Sequence, residues 1–179
     1  LLEPQETGDS ESKRTLAHNG KELVYVLYAG SLYRRFRNPR YACRLLIDLS
    51  KRVPLKAVFM GTGDCDDIMD ELVRKSDGVI EYLGMQLHDT VSRYMQVSDI
   101  LLSIGNSESP MAPSKIYEYM STGKPIIHVY TYDRDPCVEP LKEYGNALLI
   151  KEGDEEAVVK AVEFVKSANR VSFNLVREK

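Results

Sequence analysis

Between residues 23 and 167 apolar runs of four to seven residues alternate six times with amphipathic stretches, without an internal sequence repeat. That alternation leaves little choice of fold. Strands covered on both faces read as continuous apolar runs, and parallel neighbours need a crossover long enough to hold a helix. Strands are predicted at 23–29, 56–60, 79–83, 100–104, 125–130 and 147–150, with helices at 39–52, 66–75, 88–97, 113–122, 139–144 and 154–167. The last helix shows its buried stripe in Ala157, Val158, Ala161, Val162 and Val165. The reading is an α/β fold: a three-layer, Rossmann-like, doubly wound parallel sheet over 23–168. Residues 1–22, polar and without sustained apolar period, are read as a linker or disordered tail, and 169–179 as a C-terminal tail.

A chain of 179 residues with 43% hydrophobic content is long enough to bury one sizeable core, and no apolar run is long enough to span a bilayer. The net charge of −3 argues against nucleic acid as a partner. Three cysteines, Cys43, Cys65 and Cys137, form neither an even disulfide set nor a Cys-x-x-Cys pair, which points to a reducing, cytoplasmic setting. The first residue is not methionine and no charged-then-apolar leader follows, so the sequence is expected to be a piece of a longer protein.

In a doubly wound sheet, ligands bind beyond the carboxyl ends of the strands, where strand order reverses. Four predicted strands run into glycine there: Gly30-Ser31, Gly61-Thr62-Gly63, Gly84-Met85 and Gly105-Asn106. Any one is ordinary turn punctuation; together they point to a crevice in which a ligand approaches the backbone. Gly30, Ser31, Gly61, Gly84, Met85 and Asn106 are therefore candidate binding residues. The Gly61-Thr62-Gly63 pair is no dinucleotide fingerprint: it follows the second strand and precedes Asp64, Asp66 and Asp67, which would repel a pyrophosphate.

The most specific local pattern is Pro113-Ser114-Lys115-Ile116-Tyr117-Glu118-Tyr119-Met120-Ser121-Thr122-Gly123-Lys124-Pro125. Proline is tolerated in a first helical turn, and Gly123 with Pro125 stops the helix. A helical advance of about 100° per residue puts Ser114, Lys115 and Glu118 on one face, with Ile116 and Met120 opposite. The free amides of the first turn and Lys115 suit a phosphate, and the two oxygens of Glu118, one turn on, suit a ribose diol. The bland alternative is a surface helix with a weak i,i+3 ion pair.

Pro-Ser-Lys-x-x-Glu-Tyr-Met-x-x-Gly-Lys-Pro-Ile resembles the nucleotide-binding signature of the C-terminal domain of GT-B glycosyltransferases, in particular retaining enzymes similar to glycosyltransferase family 4. The resemblance runs over about residues 23–167. It implies a donor-binding half that takes a nucleoside-diphosphate sugar such as a UDP-sugar as substrate, without a separate cofactor. Glu118 matches the family glutamate that binds ribose, and Ser114-Lys115 lies by the diphosphate. The family often carries an earlier glutamate for the donor sugar, eight residues before; Pro110 stands there, and Glu108 is out of register. The resemblance further implies a hexosyl or related transfer, with retention, to an acceptor held by an N-terminal domain. This fragment alone is then inactive, and the full-length protein has room to lie peripheral to a membrane. A sugar-nucleotide epimerase of GT-B-like fold and a non-catalytic nucleotide-binding or interaction domain are the alternatives.

Five arginines, Arg34, Arg35, Arg37, Arg40 and Arg44, crowd the first turn and the helix after it. Cations near a helix start oppose the macrodipole, and a bound polyanion would relieve them. Arg40 and Arg44 are read as a solvated face; Arg34, Arg35 and Arg37 stand evenly between solvent and anion. Similar transferases place a basic residue of this loop on the diphosphate, in a Lys-Gly context absent here, which selects Arg37 or Arg35. Arg37 and Lys115 are thus the expected catalytic cations. His18 lies in the tail, His88 is read as a helix-start cap and His128 as a satisfied core histidine. No His, Cys or carboxylate set shows a metal-ligand spacing. Asp64, Asp66 and Asp67 are read as helix-start caps rather than cation ligands, and Tyr130, Tyr132 and Asp133 either as rim or as plain loop.

Overall fold

The computed structural model describes residues 23–107 and 114–177, with side chains to residue 168. The tail reading of residues 1–22, with His18, and the positions of Glu108, Pro110 and Pro113 lie outside the described residues.

Among the described residues six strands and six helices alternate: β1 (Val24–Ala29), α1 (Arg40–Ser50), β2 (Leu55–Met60), α2 (Asp66–Lys75), β3 (Ile80–Tyr82), α3 (His88–Val97), β4 (Ile100–Ile104), α4 (Lys115–Ser121), β5 (Ile126–Tyr130), α5 (Val138–Tyr144), β6 (Ala147–Lys151) and α6 (Ala157–Arg177). All pairings are parallel, in the order β3-β2-β1-β4-β5-β6. Strand order reverses between β1 and β4, the position at which a Rossmann-like sheet opens its crevice. The two-residue period of a strand decides which core each side chain joins. Val24, Val26 and Tyr28 of β1 point into a cluster with Leu46 and Leu49 of α1, Met69 of α2 and Ala161 and Val165 of α6. Leu27 and Ala29 point the other way, to Met95 of α3, Ile116 and Tyr119 of α4 and Leu141 of α5. The sheet is thus the middle of three layers.

Helix α6 continues to Arg177, past the expected end at residue 167. Nothing in 168–177 breaks a helix: neither Gly nor Pro occurs there. The aspartates near α2 differ from expectation as well. Its N-cap is Cys65, without a side-chain cap bond; Asp64 instead accepts the amide of Arg34 at 2.8 Å, Asp66 accepts the Tyr82 hydroxyl at 2.6 Å, and Asp67 pairs with Arg34. They tie the β1–α1 loop and β3 to α2.

Candidate functional site

A cleft of about 1180 Å³ opens at the carboxyl ends of β1, β2, β3 and β4, against the first turn of α4. It is roomy for one small ligand, for which about 300–1,000 Å³ is usual. The backbone at its floor is unusually close-packed. Beyond β1 the chain continues beside the end of β2, with Gly30 N donating to Met60 O at 2.9 Å and Leu32 N to Thr62 O at 2.8 Å. A Cβ on Gly61 would lie 1.8 Å from the carbonyl oxygen of Gly30, so only glycine fits. Gly105 is constrained by a side chain: a Cβ there would meet Asp135 Oδ2 at 2.0 Å. These glycines are required by the protein's own packing, whereas the sequence pattern alone suggested close approach by a ligand.

The loop after β1 folds into a tight turn in which Tyr33 and Arg37 exchange two backbone hydrogen bonds, at 3.1 and 2.9 Å. That turn carries Arg37 back over the strand ends. Its Nε and one terminal nitrogen donate to Asn106 Oδ1 at 2.9 and 2.6 Å, and its other terminal nitrogen donates to Ser31 O at 3.2 Å. The same carbonyl accepts the buried Tyr28 hydroxyl at 2.9 Å. Burial pushes the Tyr28 phenol well above its ordinary pKa, against the opposing pull of Arg37. Arg37 is therefore fixed by the ends of β1 and β4 before any ligand arrives. Arg34 is turned away: it pairs with Asp67, and its Nε donates to Asp64 O at 2.8 Å. Arg40 pairs with Glu71 at 3.1 Å and Arg44 donates to Arg40 O at 3.3 Å, in keeping with an outer basic face.

Helix α4 is placed by a residue that the sequence reading did not single out. Tyr119, 2% exposed, accepts the amide of Ala29 at 2.7 Å and donates to the carbonyl of Ala29 at 3.2 Å. Ala29 lies one residue beyond the β1–β4 register, where the strand would otherwise leave an amide unpaired in the core. With Tyr119 and Ile116 turned inward, Ser114, Lys115 and Glu118 face the cleft. Lys115 Nζ lies 2.6 Å from Glu118 Oε2, with the side chains 27% and 39% exposed. The pair is the weak i,i+3 contact anticipated from the sequence, and it sits on the wall of the cavity. The helix itself is only seven residues long, so its macrodipole is small and side-chain charge dominates.

Of the expected site residues, Gly30, Ser31, Arg35, Arg37, Gly61, Met85, Asn106, Ser114, Lys115 and Glu118 line this one cleft; Gly84 adjoins it at a left-handed turn, φ 61°. Among the described residues, three of the lining side chains are cations, Arg35, Arg37 and Lys115, against the single carboxylate of Glu118. His88 and Gln86 were missed. His88 is the first residue of α3, with Leu87 as the cap, and it lines the cleft; its place just past a strand end was the available signal. Tyr130, Tyr132 and Asp133 do not line it: Tyr130 borders a separate hollow of about 60 Å³ and Asp133 pairs with Lys151.

His128 is a core histidine, as expected, but an imperfectly satisfied one. It is fully buried, with Nδ1 3.0 Å from Ser103 Oγ and Nε2 3.3 Å from Asp135 Oδ1, yet neither Nε2 nor Asp135 Oδ2 has a hydrogen-bond partner. Burial pushes the nearby Cys137 thiol up to about 12, assisted by the Asp135 carboxylate.

A family model described as "Glycosyl transferases group 1" matches residues 24–166. No curated protein matches the chain by sequence. Among solved structures, AviGT4, a glycosyltransferase of avilamycin A biosynthesis, superposes with TM-score 0.59 at 13% identity, over 79% of this chain and 42% of its own. WaaG, a glycosyltransferase of lipopolysaccharide biosynthesis, gives 0.56 at 15%, over 85% and 44%. HepE from Anabaena, solved in complex with UDP, gives 0.51 at 16%, over 80% and 44%. The chain spans less than half the length of these structures.

Proposed function

The chain belongs to the group 1 glycosyl transferases, and from that premise we propose that it is the donor-binding, C-terminal half of a GT-B enzyme that transfers a sugar from a nucleoside diphosphate, with retention. The observation that carries the proposal is the convergence, in one cleft at the point of strand reversal, of three cations with a carboxylate one helical turn from Lys115. In this reading the diphosphate lies between Lys115, Arg37 and Arg35, and the ribose hydroxyls bind Glu118. UDP is named as the nucleotide because HepE was solved with it.

Transfer breaks the bond between the anomeric carbon and the diphosphate, so negative charge grows on the leaving oxygens as positive charge grows on the sugar. Prepositioned cations stabilise that change without reorganising at the moment of reaction. Arg37 meets this requirement, since Asn106 and Ser31 already hold its guanidinium. Lys115 meets it differently: a bound diphosphate draws its ammonium off Glu118, freeing that carboxylate for the diol. One event thus readies both groups. The acceptor and any base belong, in this proposal, to an N-terminal domain, and the assembled enzyme works in the cytoplasm.

Isothermal titration calorimetry of the chain with UDP and UMP tests the reading. UDP is expected to bind more tightly, with the advantage shrinking as salt rises, because the additional phosphate is held by charge pairing. Equal affinities across the salt series would contradict a diphosphate site.

A further inference from the structure

The most unusual chemistry outside the cleft lies under the loop that joins β5 to α5. His128, Asp135 and Cys137 bring one nitrogen, one oxygen and one sulfur to within 4.8 Å of one another, all three side chains buried. Sequence spacing hides the group, because His128 lies in the middle of β5 while the other two follow a surface loop that doubles back over the strand. We propose that these three side chains form a binding site for a divalent metal ion of zinc type, which staples β5 to the start of α5.

Four observations support the site. First, the donor set is right: thiolate, imidazole and carboxylate together suit zinc, and a site with those bond lengths holds its ligand atoms roughly 3.3–3.6 Å apart. The Nε2 to Oδ1 separation of 3.3 Å already meets that, and all three donor atoms lie within 4.8 Å of one another. Second, polar atoms are left over. His128 Nε2 and Asp135 Oδ2 are buried without hydrogen-bond partners, an arrangement that costs free energy unless something else binds there. Third, the imidazole is held from behind: Ser103 Oγ meets Nδ1 at 3.0 Å, and the Tyr130 ring stacks on it, 5.8 Å between centroids at 10°. With Nδ1–H donated to the Ser103 hydroxyl, the Nε2 lone pair faces Asp135 and is available to a metal ion; in the other tautomer Nε2–H faces the carboxylate. Fourth, charge balances. A dication with one thiolate and one carboxylate is neutral overall, and a neutral site is compatible with burial where an isolated ion is not.

Binding displaces the thiol proton of Cys137 to solvent and forms three protein–metal bonds, with the fourth position left for a water or a backbone oxygen. Thr131, Asp133 and Arg134 of the covering loop are exposed, so the ion enters by local opening of one surface loop. The staple reaches the cleft indirectly, since Asp135 packs against Gly105, the neighbour of Asn106. It does not depend on what the cleft binds.

The test uses the 179-residue chain stripped with a chelator and titrated with Co²⁺ as a spectroscopic stand-in, then with Zn²⁺. One equivalent of Co²⁺ is expected to produce a thiolate-to-metal charge-transfer band in the near ultraviolet, which Zn²⁺ abolishes by displacement. Cys137→Ser should lose the band, while Cys43→Ala and Cys65→Ala keep it. Absence of the band, or its survival in Cys137→Ser, overturns the proposal. X-ray absorption of the zinc-loaded, unmutated chain supplies a reading that no folding defect can confuse: one sulfur with nitrogen and oxygen neighbours supports the site, and a shell without sulfur refutes it.

Discussion

Removing a single oxygen from Tyr119 should destabilise the fold more than most surface changes. Tyr119→Phe keeps the ring in its place between α4 and the sheet but deletes the atom that both accepts from Ala29 N at 2.7 Å and donates to Ala29 O at 3.2 Å. Ala29 is 5% exposed, so water does not readily replace the lost partner. An unsatisfied buried polar group costs about 1–3 kcal/mol. The carbonyl bond is long and its loss is the milder of the two, so a total of about 2 kcal/mol is expected. For a domain of this size each kcal/mol lowers Tm by roughly 2–4 °C, which predicts a fall of about 4–8 °C. Urea titration followed by circular dichroism gives the free energy, and a thermal melt gives Tm. A change below about 0.5 kcal/mol, the ordinary range of surface substitutions, would refute the claim that Tyr119 substitutes for a missing strand partner.

Asn106→Leu removes the acceptor of two Arg37 hydrogen bonds at similar volume, so nucleoside diphosphate binding should weaken by roughly tenfold, the low end for bonds to a charged group; calorimetry on a variant with an unchanged far-ultraviolet spectrum checks it, and unchanged affinity counts against Arg37 as a ligand. Cys43 gives a pH prediction. Burial pushes its thiol up from 9.0 to about 12, so its contribution to stability is whole below about pH 9 and is lost as pH rises towards 12. Stability should therefore fall by as much as about 1.4 kcal/mol per pH unit for this thiol across that window, and Cys43→Ala should flatten the slope in pH-dependent urea titrations.

The fold was legible because it rests on local patterns. Apolar runs and helical stripes give strands and helices almost to the residue: α2, α3 and β4 fall where the sequence places them. The cleft was legible for a related reason, since in a doubly wound sheet the strand ends converge whatever their sequence separation. Helix phase put Lys115 and Glu118 on one face, and they do face the cavity. What stayed hidden depends on partners distant in sequence. Tyr119 bonds to a residue 90 positions away. Arg34 and Arg37 look alike in sequence, and only the fold sets Asp64 and Asp67 beside the first and Asn106 beside the second. His128, Asp135 and Cys137 have no recognisable spacing because a loop that folds back, rather than a helix or hairpin, brings them together.

The central claim is that Glu118 holds the ribose of a nucleotide whose diphosphate lies at Lys115. Calorimetry with UDP and its 2′,3′-dideoxy analogue, on the unmodified chain and on Glu118→Gln, tests it most directly. The substitution keeps shape while removing charge, and hydrogen bonds to a charged group contribute about 1.5–3 kcal/mol, so UDP binding should weaken by about ten- to a hundredfold. The dideoxy analogue, which offers no diol, should be much less affected, and the unliganded variant should melt as the original does, since Glu118 is 39% exposed. Equal weakening of both ligands would contradict the account and leave Glu118 with no specific hold on the ribose.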